Sequence, residues 1–221
     1  MAPFGKIFTY PNNIRVHRVL IMAEMNGLEI EVPPFDLRKD NRTPEFLAKF
    51  PLGKIPSFEG ADGFCLSESI AIAQYVAQSG PKAGQLLGTD AKSQALILKW
   101  AQFSETELFS NIFGQIGMTV LKVYTRDKIR YEDHANSFTR AIKSLEASLQ
   151  DGQKYLVGDG LTMADLMVAS VLFVSFQFLL DAEWRKEIPK TVAYTQAFFD
   201  VPEHKKYFGK LEFCETRDKF E

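Results

Sequence analysis

Cysteine is nearly missing from this sequence: Cys65 and Cys214 are the only two in 221 residues. One bridge between them stays formally open. Two thiols in a chain this long nevertheless read as reduced, buried side chains of a cytoplasmic protein. Neither belongs to a Cys-x-x-Cys pair, so dithiol redox chemistry is not expected. Histidine is equally sparse: His17, His134 and His204 lie far apart without ligand spacing, and no metal site is expected. The formal net charge of -2 lacks the basic excess of a nucleic-acid footprint. No apolar run is long enough to cross a membrane; the best, Leu166 to Leu180, is broken by Ser170, Ser175 and Gln177. The first ten residues hold Pro3 and Gly5 and no apolar core of a secretory signal.

What is present is an ordinary globular balance, 46% hydrophobic and 24% charged residues, in a length that suits one large domain or two small ones. The first third alternates strand and helix signals. Lys6 to Tyr10 reads as a strand, and Pro11-Asn12-Asn13 as a turn. Ile14 to Asn26 places Val16, Val19, Leu20 and Ala23 at helical spacing, with Gly27 as its stop. Glu29 to Val32 alternates like a second strand, and a polar loop follows from Asp36 to Arg42. Thr43-Pro44-Glu45 is a helix start that Pro51 and Gly53 cut short. Ile55 to Phe58 and Phe64 to Leu66 flank a hairpin turn, and Ser67 to Ala77 is a helix. A βαβ unit followed by a helix, a hairpin and a helix is the thioredoxin arrangement.

The stretch 81–90, with Pro81, Gly84 and Gly88, reads as a linker between domains at 1–80 and 91–221. Beyond it the pattern is helical throughout: Ala91 to about Val123, Arg130 to Leu149, a nearly all-apolar helix opened by Thr162, then Pro189 to Phe199 and Glu203 to Phe208. Thr162 with Asp165 has the form of a capping box, a folding signal. The expected fold class is therefore α/β plus all-α: a thioredoxin-like domain followed by a helical one.

Two local signals carry chemistry. In Gly53-Lys54-Ile55-Pro56, a proline between a helix end and a strand start can be cis, turning the backbone groups of Ile55 outward for an extended peptide. A plain trans turn is the bland alternative. Twelve residues on, Glu68-Ser69 opens a helix whose free N–H groups and dipole suit a carboxylate, with Ser69 as a further donor and Glu68 facing an ammonium. A simple cap is the alternative there. Together the two describe a holder for a γ-glutamyl peptide, that is, glutathione.

The flanking residues carry a resemblance. Asn41 to Leu47, Lys49-Phe50-Pro51, Phe58-Glu59-Gly60, Asp62 to Cys65 and Ala71-Ile72-Ala73 surround the two signals. Gln85 to Gly88, Lys99 to Ser104, Tyr155 to Gly158, Leu161 to Asp165, Glu183-Trp184-Arg185 and Leu211 to Glu215 extend the match over nearly the whole chain. The sequence resembles glutathione transferases, and among them the transferase-like domain of the gamma subunit of translation elongation factor 1. The resemblance implies glutathione as co-substrate, no metal, a homodimer, and partners among the other elongation-factor subunits. Phe64 and Trp100 stand out as apolar candidates for the dimer surface.

For thiol activation a donor is needed just after the first strand, because a free thiol is mostly protonated at neutral pH. Tyr10 and Asn13 are the candidates, and the serine of theta-like transferases has no counterpart, Pro11 falling near its place. Lys54 is placed to meet the glycyl carboxylate; Arg38 and Lys39 read as a solvated loop. A second substrate would lie between the domains against Phe103, Phe109, Phe113 and Tyr124, although aromatics at helical spacing are more often core. Two functions follow: a transferase that conjugates glutathione to small electrophiles, or a scaffold domain of the elongation-factor complex. The resembled subunit continues into a lysine-rich linker and a further domain; the terminal run Asp218 to Glu221 suits a free-standing chain or a domain of a longer one.

Overall fold

A computed structural model describes residues 3–218 and 220. The expected domain limits at Met1 and Glu221, and part of the 218–221 run, lie outside the described residues. The chain divides into two compact units, meeting between Gln94 and Ala95.

In the first unit, β1 (Gly5–Phe8) sits inside a four-stranded sheet of order β2-β1-β3-β4. It runs parallel to β2 (Ile30–Glu31) and antiparallel to β3 (Ser57–Gly60), which pairs antiparallel with β4 (Cys65–Leu66). The parallel step needs a crossover, and α1 (Ile14–Met25) supplies it. The pleat sends alternate residues to opposite faces. Ile7 and its partner Phe58 are completely buried on one face, where Phe58 meets Tyr75 of α3 (Ser69–Gln78) at 5.7 Å. The other face carries Phe8, packed with Phe46 and Phe50 from the start and end of α2 (Pro44–Lys49). Thr43 caps α2 through its hydroxyl and Pro44 occupies the first turn, as the sequence predicts. On that same face Glu59 accepts a hydrogen bond from Lys49 at 2.6 Å and pairs with Lys6 at 3.5 Å.

Asn26, buried beyond the end of α1, ties this layer together. Its amide donates to the carbonyls of Val76 and Ala77, and its oxygen accepts from Lys82 N–H. The residues read as a linker carry a short helix, α4 (Ala83–Leu87), which packs on α3.

The helical stretch expected from Ala91 to Val123 is three pieces: α5 (Ala91–Phe103), a π-helical segment Ser104–Phe109, and α6 (Ser110–Thr119). Side chains bond back to carbonyls four residues earlier at Thr106, Ser110, Asn111, Gln115 and Thr119. Such bonds compete for carbonyls of the helical ladder and bend helices. Trp100, taken from sequence as a surface residue for a second copy, is only 6% exposed. It lies on the inward stripe of α5 with Ile97 and Ala101, its ring edge-on to Phe103. Phe64 does keep 43% of its surface exposed.

In the second unit α7 (Lys128–Ser148), capped by Asp127, packs against α6. Gly114 makes that packing possible: any Cβ there would collide with the His134 ring. The central helix, α8 (Met163–Phe178), is buried almost all round, as its apolar sequence requires. Its capping box is present, and Asp165 does more than cap. Completely buried, its carboxylate accepts from Thr162 N–H and hydroxyl, from Leu156 N–H at 2.7 Å and from the Tyr194 hydroxyl at 2.9 Å. Burial raises the Asp165 pKa and these four donors pull it back.

A short helix that the sequence pattern did not reveal, α9 (Ala182–Glu187), precedes α10 (Pro189–Phe199) and α11 (Pro202–Phe208). Glu146 of α7 caps α10, accepting from Lys190 and Thr191 N–H. From α9, Arg185 fastens the stretch after α11. It donates to the carbonyls of Leu180 and Cys214, pairs with Glu215 and stacks over Phe213.

Two stability experiments check this account. Asp165→Ala strands buried N–H and O–H donors and removes a cap; urea unfolding should show a loss of about 3 kcal/mol. The second concerns His204, whose Nδ1 lies 2.7 Å from Phe198 O and whose pKa burial lowers below 6.5. A group with a depressed cationic pKa contributes stability that is present above its unfolded pKa and lost as pH falls through the folded one. The urea midpoint should therefore fall on acidification below about pH 6.5, and fall less in His204→Asn.

Candidate glutathione site

Three segments meet at one end of the sheet because of its register. Phe8 pairs with Ser57, and Phe58 pairs with Leu66. Continuing those ladders outward sets Thr9 and Tyr10, Ile55 and Pro56, and Ser67 to Ser69 side by side. The Ile55-Pro56 bond is cis, as the sequence allowed. Pro56 is buried, Ile55 is half-buried and Lys54 is exposed. Ser57 braces the turn by donating to Lys54 O at 2.8 Å.

The turn is also held from behind. Asn41 is 3% exposed; its amide donates to Gly53 O at 2.6 Å and its oxygen accepts from Arg38 N–H. Gly53 has φ +57, and a Cβ there would lie 2.8 Å from Asn41 O, so no other residue fits without strain. In the polar loop before α2, Arg38 and Lys39 are exposed, as a solvated loop requires. Asn41 faces inward as the brace.

Helix α3 begins at Ser69, and its cap is Glu68 rather than Ser67. Glu68 makes no capping hydrogen bond with its side chain; its backbone sits at φ +69, ψ +115. That conformation is sparsely populated for a residue with a Cβ and costs about 1–3 kcal/mol. It leaves the first N–H groups of α3 without an intrahelical acceptor and the Glu68 carboxylate exposed beside them.

Sequence reasoning missed one residue. Arg18 is completely buried, and its Nη2 donates to Ser69 Oγ at 3.1 Å, joining α1 to the first residue of α3. The signal was there: Ile14, Arg18 and Met22 share one face at i, i+4 spacing, and a cation inside an apolar stripe needs a partner.

The two donor candidates differ. Asn13 is 3% exposed and caps α1: its oxygen accepts from Arg15 N–H and its amide donates to Thr9 Oγ1 at 3.0 Å. The amide has two protons, so one remains beyond the bond to Thr9. Tyr10 keeps 40% of its surface exposed, while desolvation of its hydroxyl raises its pKa, offset in part by the Arg15 charge. At neutral pH it is an O–H donor.

In the second unit the aromatic set is partly assembled. Phe109 and Phe113 stack at 5.7 Å with planes 12° apart, and Tyr124 stands edge-on to Phe113 at 5.5 Å. Phe103 instead packs against Trp100. Among the described residues, no group of three or more His, Cys, Asp or Glu converges as metal ligands.

Two family models match: the glutathione S-transferase N-terminal domain over residues 3–78 and its C-terminal domain over 96–202. The chain belongs to the glutathione transferase family. It is 45% identical over 223 residues to the "glutathione S-transferase-like protein LUC7" of Fusarium sp, each chain covered to 98%. It is 32% identical over 221 residues to human elongation factor 1-gamma, covering 98% of this chain and 49% of that one. The chain thus spans about half the length of that relative. Among solved structures, the glutathione transferase URE2P6 of Phanerochaete chrysosporium in complex with oxidized glutathione superposes with a TM-score of 0.81 at 23% identity, over 94% of this chain and 96% of that one. That likeness concerns the fold.

The strained backbone at Glu68 sets a testable opposition between stability and binding. Glu68→Gly relieves the left-handed conformation, and after the entropy cost of glycine should gain about 1 kcal/mol in urea unfolding. The same change should weaken binding of glutathione in calorimetry, because it removes the carboxylate that the sequence pattern leads one to expect opposite an ammonium.

Proposed function

We propose that this protein binds glutathione at the edge formed by Lys54, Ile55, Pro56, Glu68 and Ser69 and transfers its thiolate to small electrophiles. The observation that carries the proposal is the junction of the cis Ile55-Pro56 turn with the uncapped start of α3. The backbone of Ile55 pairs with the extended cysteinyl residue, as in strand addition. The γ-glutamyl carboxylate meets Ser69 and the helix N-terminus, and the ammonium meets Glu68. Lys54 lies two residues before the proline, suited to the glycyl carboxylate.

Tyr10 or Asn13 then supplies the donor that lowers the thiol pKa toward neutrality. The electrophile is received by the stacked pair Phe109 and Phe113, Phe103 being engaged with Trp100. The family membership and the 45% identity to a transferase-like protein support this function.

A second function has its own support. Human elongation factor 1-gamma aligns with 98% of this chain, which favours a scaffold domain that pairs with a second copy and with other elongation-factor subunits in the cytoplasm. The two functions diverge in two assays. Calorimetry with glutathione should show binding by the wild type and its loss in Glu68→Ala/Ser69→Ala; equal binding by the double variant would sink the site. Conjugation to an aryl halide should proceed, with Tyr10→Phe or Asn13→Ala lowering kcat by about 10²-fold. Glutathione binding without turnover would favour the scaffold.

A further inference from the structure

Ser69 is offered a charge from behind. Arg18 lies at 0% exposure on α1 and donates from Nη2 to Ser69 Oγ at 3.1 Å. A guanidinium has only donors, whereas a hydroxyl has one donor and two acceptor positions. In this contact Ser69 is therefore the acceptor, and its own proton is left to point elsewhere. Ser69 is also the first residue of the ten-residue helix α3, so its backbone N–H has no intrahelical acceptor.

An anion arriving at Ser69 thus meets a hydroxyl proton and backbone N–H groups, with a fixed cation one bond further in. A hydroxyl that accepts from a guanidinium is polarised and donates more strongly. Because Arg18 is buried, its charge is little screened by salt or water.

We infer that Arg18 is a positioning residue for the γ-glutamyl head. Acting through Ser69, it makes this subsite select a free α-carboxylate over a neutral group. The ligand class that follows is γ-glutamyl peptides with an ionised α-carboxylate, and the selectivity resides in a residue that the ligand does not touch. The inference rests on the glutathione site proposed above. Simple support of the fold is the competing role, since Arg18 joins α1 to α3 whether or not a ligand is present.

Two ligands separate these roles: glutathione, and its analogue with the α-carboxylate replaced by hydrogen, both titrated by calorimetry. The wild type should bind glutathione about 30-fold more tightly than the analogue, the span of a charge-assisted hydrogen bond. Arg18→Met should lose most of that preference by weakening glutathione alone, with the analogue unchanged. Arg18→Lys should keep more of the preference than Arg18→Met because the charge remains.

Equal weakening of both ligands by Arg18→Met would reduce Arg18 to structural support and overturn the inference. Unchanged preference would do the same. Should Arg18→Met fail to melt cooperatively, Arg18→Gln reads the same quantity with an uncharged donor in its place. Loss of preference there supports the role of the charge, and retained preference overturns it. A wild type that binds neither ligand overturns the glutathione site itself. A wild type that binds both equally leaves that site standing and removes only the role of Arg18.

Discussion

The ladder between β1 and β3 is the constraint on which the first unit depends. β1 is paired on both edges, and its antiparallel register, Phe8 opposite Ser57, is fixed because a slip of one residue would turn Ile7 and Phe58 out of the core. With that register set, the residues after β1 and those before β3 are neighbours. The next ladder, Phe58 opposite Leu66, brings the start of α3 to the same end. None of the three segments needs a partner in sequence. The sheet brings them together, and the ring contacts of buried Phe58 on one side and half-buried Phe8 on the other hold the sheet.

Beyond the ladder, the site is braced by groups that are themselves buried. Asn41 holds Gly53, Ser57 holds Lys54, and Arg18 holds Ser69. None of these bonds uses the backbone N–H or C=O of Ile55. Glu68 is the point where local preference yields to this arrangement. Its positive φ is maintained by the strand before it and the helix after it, and strain of this kind concentrates at ligand clamps.

Much of this was legible in the sequence, and what was not has physical causes. Thr43-Pro44 and Thr162 with Asp165 announce α2 and α8 because capping is local chemistry. The cis proline and the Glu68-Ser69 helix start could each be read alone, and their distance in the chain suggested the pairing. Arg18 was not read, because a cation on a helix normally belongs to its solvated face. The π-helical turn at 104–109 escaped because a single wide turn barely disturbs a 3.6-residue period. Trp100 was misplaced because the stripe of α5 that turns inward depends on what packs against it. Helix α9 has no buried residue to give it a periodicity.

The question of thiol activation turns on how many tasks one side chain performs. Asn13 holds the N-terminus of α1 through Arg15 N–H and reaches back to Thr9, so its remaining amide proton is fixed in direction by two bonds that folding already requires. A donor of that kind is preorganised, and preorganised donors are what stabilise developing charge most. Any change at Asn13 also removes a helix cap worth about 1 kcal/mol. Tyr10 has the opposite balance: a half-exposed ring with a hydroxyl free to rotate, whose raised pKa keeps its proton on but makes it the less acidic donor. A thiolate near Asn13 would gain from geometry, whereas one near Tyr10 would meet a hydroxyl that desolvation has made a weaker donor than a free phenol. Because α1 also carries Arg18, a site that relies on Asn13 would draw both its thiol donor and its carboxylate charge from a single rigid helix.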